Sequence, residues 1–148
     1  MTEICRLNIE ALYRQLRRAL RYGARASRLL RHTPDVIELL FPAAPHPHLS
    51  ACDRAIKAET VIRQAADAIG GSPGHAIATV LCLPPGTLGR TLEDRRRIAA
   101  RHLDLEADTW RRDWHEGALL YDLTIEIYRL HTTRRTVNTP ETDTLNPV

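Results

Sequence analysis

The chain has 148 residues, 43% of them hydrophobic and only 5% aromatic, with a formal net charge of +3 and no more than three cysteines. That length suits one domain with a core of its own, so neither a disulfide framework nor a structural metal is required to hold it together. Cys5, Cys52 and Cys82 are odd in number and form no CxxC pair, which points to reduced thiols and away from a cysteine zinc site.

Of the 21 basic residues only Lys57 is a lysine. An arginine bias of this kind, alongside abundant alanine, matches the codon usage of a GC-rich genome, so part of the excess carries no functional message. The charge is also uneven: residues 1–33 hold eight arginines against Glu3 and Glu10, and the remainder of the chain is net acidic. The N-terminus MTEICRLNIE lacks the basic-then-apolar order of a signal peptide, and the longest largely apolar run, Ala76 to Leu83, is far short of the roughly 20 residues of a membrane helix. A cytoplasmic protein without a membrane partner is the expectation.

In chain order, Cys5, Ile9, Leu12, Leu16, Ala19, Gly23, Ala26 and Leu30 recur at helical spacing and predict one long helix over 3–31. Arg14, Arg18, Arg21, Arg25 and Arg28 fall about 200° round that helix, an arginine ridge opposite the buried stripe. This ridge is the best interaction surface the sequence offers, with a plain solvent face, an acidic protein and a nucleic-acid backbone as its three readings. Thr33-Pro34 ends the helix, and Asp35 to Phe41 reads as a short second one. The proline-rich PAAPHPHLS is an extended connection, after which Ser50 caps a helix over 50–69 with a face of Ala51, Ala55, Ala58, Ile62, Ala65 and Ile69. GGSPG at 70–74 reads as a loop, 75–83 as a short buried helix, 84–90 as a second loop, and Thr91 as the cap of a helix over 92–103. The last long helix is expected over 107–130, and the threonine-rich segment 132–148 as a disordered tail beyond a bundle domain of 1–131. The fold class that follows is a single all-α helical bundle with three long helices and two or three short ones.

The stretch AARHLDLEADTWRR, residues 99–112, has the spacing of a helix-turn-helix. Ala100 sits where two helices would cross closely, Leu103 and Leu105 fill the turn, and Trp110 and Trp114 are expected as anchors that pin the last helix. Asp104 replaces the usual turn glycine. A DNA reader needs neutral or cationic groups at the start of its second helix, yet Glu106, Asp108 and Asp113 cluster there, with Arg111 and Arg112 as the only candidate DNA contacts. Packing or interaction is therefore the favoured role of the segment. Further along, Leu120, Leu123, Ile127 and Leu130 on one side, with Tyr121, Ile125 and Tyr128 on another, make an apolar arc wide enough to expect weak homodimerisation through the last helix.

Arg96-Arg97, Ala99-Ala100, Leu103, Asp108-Thr109-Trp110-Arg111-Arg112, Glu116 and Leu119-Leu120 together resemble a helical module that recurs in uncharacterised actinobacterial proteins. The resemblance spans about residues 90–130. It implies a module set beside variable signalling or effector regions, and it implies no enzymatic activity.

The nearest approach to a metal-ligand set is His46, His48 and Cys52, but two lie on a proline-stiffened loop and no fourth ligand is evident, so no zinc binding is expected. No nucleophile elbow or phosphate loop is present, GGSPGH lacking the Lys-Ser or Lys-Thr that a P-loop requires. Asp122 and Glu126, with Arg129 and His115 nearby, read as a solvated ion-pair strip. The leading expectation is a non-enzymatic regulatory or adaptor module that needs no cofactor and binds another protein. The alternative is a helix-turn-helix transcriptional regulator.

Overall fold

The computed structural model describes residues 7–44 and 47–138. The fold is all-α, and the described residues form no strand. In order, the helices are α1 (Ile9–Ala19), α2 (Ala26–His32), α3 (Pro34–Leu40), α4 (Ala51–Ile69), α5 (Gly71–Val80), α6 (Leu92–His102), α7 (Ala107–Trp110) and α8 (Ala118–Asn138), with a 3-10 turn at Pro85–Thr87 and a single π turn at Asp113–Gly117. None of these helices is long and apolar enough to cross a membrane.

α4 forms where its local signals place it. Ser50 accepts from the Asp53 N–H at 3.0 Å while the Asp53 carboxylate accepts from the Ser50 N–H, a reciprocal capping box. Its stripe of Ala55, Ala58, Ala65 and Ala66, joined by Val61 and Ile62, is fully buried, and these small side chains let α2, α5 and α8 all pack against it. Ala51, expected on that stripe, is exposed. Thr91 caps α6 as anticipated, accepting from the Asp94 N–H at 3.1 Å.

Three elements differ from the sequence reading. The first long helix is two helices. Gly23 adopts φ +95° and ends the α1 segment, because a Cβ at that position would lie 2.8 Å from the Cβ of Cys82 and 3.2 Å from the Leu81 carbonyl oxygen. The Ala24 N–H then donates to that same Leu81 carbonyl at 2.8 Å. Second, GGSPG is not a loop: α5 begins at Gly71, Pro73 is tolerated in its first turn, and Gly74 lets α5 cross α4 where a Cβ would meet the Ala66 carbonyl oxygen at 2.6 Å. Third, the helix expected over 107–130 is broken at Arg112, whose backbone is extended at φ −70°, ψ 150°. At its far end α8 continues past Thr132 to Asn138, and residues 139–148 lie outside the described set.

The turn after α5 is held by arginines. Arg25 donates from Nε to the Cys82 carbonyl and from Nη2 to the Leu83 carbonyl, each at 2.8 Å, and Arg63 Nη2 donates to Leu83 at 2.8 Å. Arg95, 2% exposed, donates to the carbonyls of Val80, Leu20 and Arg21, so it caps the C-terminal ends of α5 and of the α1 segment together. Burial holds its guanidinium below the ordinary arginine value.

Candidate functional site

The helix-turn-helix segment is partly realised. α6 ends in a Schellman turn: the Leu105 N–H donates to the Ala100 carbonyl at 2.9 Å and the Asp104 N–H to Arg101 at 3.2 Å, while Asp104 takes φ +54°. An aspartate thus performs the left-handed turn usually left to glycine. Ala100 is buried, and Leu103 and Leu105 pack against the core from partly buried positions. The second helix, α7, then stops after four residues, about 6 Å of axis.

The break has a specific cause. Trp110 is fully buried, and its Nε1 donates to Glu116 Oε2 at 2.8 Å. The Glu116 carboxylate, also buried, receives a bidentate pair from Arg96, Nε at 2.9 Å and Nη2 at 2.8 Å. In a continuous helix, positions six residues apart are separated by about 9 Å along the axis and about 120° round it. Trp110 and Glu116 can meet only if the chain interrupts its helix between them. Arg96, Trp110 and Glu116 thus form one cluster that ties α6 to α7 and the π turn.

Trp114 is a correction to the sequence reading. Expected as a second anchor, it is 64% exposed, and Arg112 lies over its ring at 5.3 Å. The break rotates it off the face it would share with Trp110. Arg111 and Arg112, the candidate DNA contacts, are both exposed, with Arg111 at 4.0 Å from Asp108.

Of the arginine ridge, Arg14, Arg18, Arg21 and Arg28 are exposed and have no ion-pair partner among the described residues. Arg25 is not on the ridge: the bend at Gly23 turns it inward to the carbonyls of Cys82 and Leu83. Arg21 stands 5.7 Å from the ring of Tyr22, which stacks on His32 at 3.8 Å, so the α1–α2 corner presents cations together with aromatic faces.

Apart from this corner, an open groove of about 670 Å³ runs between α1 and the π turn with the start of α8. Tyr13 and Tyr121 meet edge to face in it, with ring centroids 5.6 Å apart, and the Tyr13 hydroxyl donates to the Gly117 carbonyl at 3.3 Å. Arg17 donates to the Tyr13 oxygen at 3.2 Å and lies 3.5 Å from Asp113. The bond to Tyr13, with the Asp113 carboxylate beside it, holds the Arg17 guanidinium above its ordinary value. Arg14, Glu10 and Asp122 complete the charged lining. The sequence reading missed this groove, since Tyr13 and Tyr121 lie on helices far apart in the chain. A π turn within a helical run is a frequent companion of functional surfaces.

His48 and Cys52 are both exposed, and His46 lies outside the described residues. No group of three or more His, Cys, Asp or Glu side chains suited to a metal occurs among the described residues. Of the solvated strip expected from Asp122, Glu126, Arg129 and His115, only the pair of partly buried Glu126 with Arg129 at 2.8 Å forms among the described residues, while Asp122 is exposed and unpaired there.

Compared with protein-family models, with curated proteins and with solved structures, the chain matches none.

Proposed function

We propose that the chain is a non-enzymatic adaptor or regulatory module, acting in the cytoplasm, that binds an acidic surface of another protein through the exposed arginines of α1 and α2. The observation that carries this reading is the division among the arginines. Arg25, Arg63, Arg95 and Arg96 are consumed by carbonyls or carboxylates of the fold, whereas Arg18, Arg21 and Arg28 face solvent with no ion pair among the described residues. Beside them, Tyr22 and His32 supply the flat, rigid contact area that interfaces favour. The resemblance over about residues 90–130 to the actinobacterial module points the same way, since such modules stand next to signalling or effector regions.

The alternative, duplex recognition through residues 99–112, is disfavoured because α7 offers a single turn where a recognition helix must lie along a groove, and because Glu106 and Asp108 are exposed at its start. The test is cross-linking in cells of the producing organism with the wild-type chain and with Arg18→Glu/Arg21→Glu/Arg28→Glu. A defined acidic protein captured by the first and lost by the second supports the reading. Salt-sensitive duplex binding that needs Arg111 and Arg112 would replace it with the alternative.

A further inference from the structure

The groove between α1 and the π turn differs in kind from the basic corner. Its α1 wall carries Arg14 and Arg17, with Glu10 at the N-terminal end, and its opposite wall carries Asp113 and Asp122. Arg18, Arg21 and Arg28 are not part of its lining. Between the walls lies an aromatic floor of Tyr13 and Tyr121, the latter 47% exposed, and Trp114 is exposed on the same π turn as Asp113. These two side chains are among the few large hydrophobic residues the described fold leaves in water.

We propose that this groove is the contact face of a homodimer, in which two copies meet about a two-fold axis running along the groove. Rotation about such an axis sets the arginine-bearing wall of each copy over the acidic wall of the other. The charges thereby become complementary without any new element, and the aromatic floors face one another. A uniformly acidic partner would meet Glu10, Asp113 and Asp122, and a uniformly basic one would meet Arg14 and Arg17. A second copy of the same face satisfies both signs at once. Arg14 and Asp122 have no ion-pair partner among the described residues, so both stand available for the exchange. Arg18, Arg21 and Arg28, whose facing copies would repel, line none of the groove. The dimer does not depend on the adaptor reading.

Sedimentation velocity of the full chain over a wide concentration range, at low and moderate salt, tests the proposal. The wild type is expected to dimerise reversibly and less tightly as salt rises. Arg14→Asp and Asp122→Arg should each weaken dimerisation about tenfold or more, because the symmetry doubles each like-charge contact. The combination Arg14→Asp/Asp122→Arg should recover most of the wild-type affinity. Both positions are exposed on helices, and circular dichroism verifies that each variant is folded. Tyr121→Arg, which puts a cation on the aromatic floor, should abolish the dimer on its own. A wild type that stays monomeric throughout, single reversals that leave the dimer unchanged, or a double reversal that fails to restore it would each overturn the proposal, and monomer with an intact groove would assign that face to a different occupant.

Discussion

Arg95 and Arg18 are the same residue type in one arginine-rich chain, and they lead opposite lives. Arg95 is 2% exposed and donates to carbonyls from two helix ends and a loop, while Arg18 stands in water on α1 with no ion pair among the described residues. The planar guanidinium explains the first case: five donors in a fixed fork can satisfy several orphan carbonyls that converge where α1 and α5 end, which a lysine ammonium cannot match in geometry. Composition alone therefore says little about which arginines are functional. What separates them is whether helix ends converge on the side chain.

Removing the interior member should have the largest effect. Arg95→Ala leaves carbonyls of Leu20, Val80 and Arg21 without their donor at a buried junction, and the expected loss is about 3–5 kcal/mol in urea denaturation. Arg95→Lys should recover only a minor part of it. A variant as stable as wild type would mean that water replaces the fork at no cost.

The two tryptophans repeat the comparison in apolar form. Trp110→Ala should cost about 3–5 kcal/mol, and Trp110→Phe about 1–2 kcal/mol through loss of the Nε1 bond to Glu116. Trp114→Ala should cost about half a kcal/mol at most, since its ring is mostly in solvent. Equal costs for the two alanine variants would mean that the helix runs unbroken through Arg112.

These contrasts show why some of the molecule was readable in advance and some was not. α4 and the start of α6 were legible because Ser50, Thr91 and the alanine stripe are local signals, complete within one helix. Gly23 misled because it falls in phase with the apolar stripe, whereas its left-handed backbone answers to Cys82, far away in the chain. The break at Arg112 has no glycine or proline to announce it; its cause is Glu116 reaching back to Trp110 and across to Arg96 on α6. The exposed arginines of α1 were legible as a ridge, but the groove beside them was not, since its two walls belong to opposite ends of the sequence.

A smaller effect is expected where a carboxylate, not an arginine, does the capping. Glu59 accepts from the Ala26 N–H at 2.7 Å, at the start of α2, and from Arg63 Nε at 2.7 Å. Burial alone would raise its carboxyl, but those two hydrogen bonds and the nearby guanidinium charges outweigh it and hold the group below the ordinary 4.5. Because the folded value lies below the unfolded one, the stabilisation is complete above about pH 4.5 and fades as pH falls through the folded value. Glu59→Gln should thus lose about 1–2 kcal/mol at neutral pH, with the gap from wild type closing in acid. A gap that widens in acid would contradict the assignment.

The smallest change in stability should come with the largest change in binding. Arg18→Glu combined with Arg28→Glu alters two exposed helix positions that make no ion pair among the described residues, so folding should shift by about half a kcal/mol or less. The electrostatic reach of α1 and α2 is nevertheless inverted there, and a charged interface feels such a reversal first in its association rate and its salt dependence. Stopped-flow association with the captured acidic partner should therefore slow steeply and lose its sensitivity to salt, while the urea midpoint stays in place. If the midpoint falls and the association rate does not, these arginines belong with Arg95 as parts of the scaffold, and the division between the two groups would have to be redrawn around side chains that neither α1 nor α2 supplies.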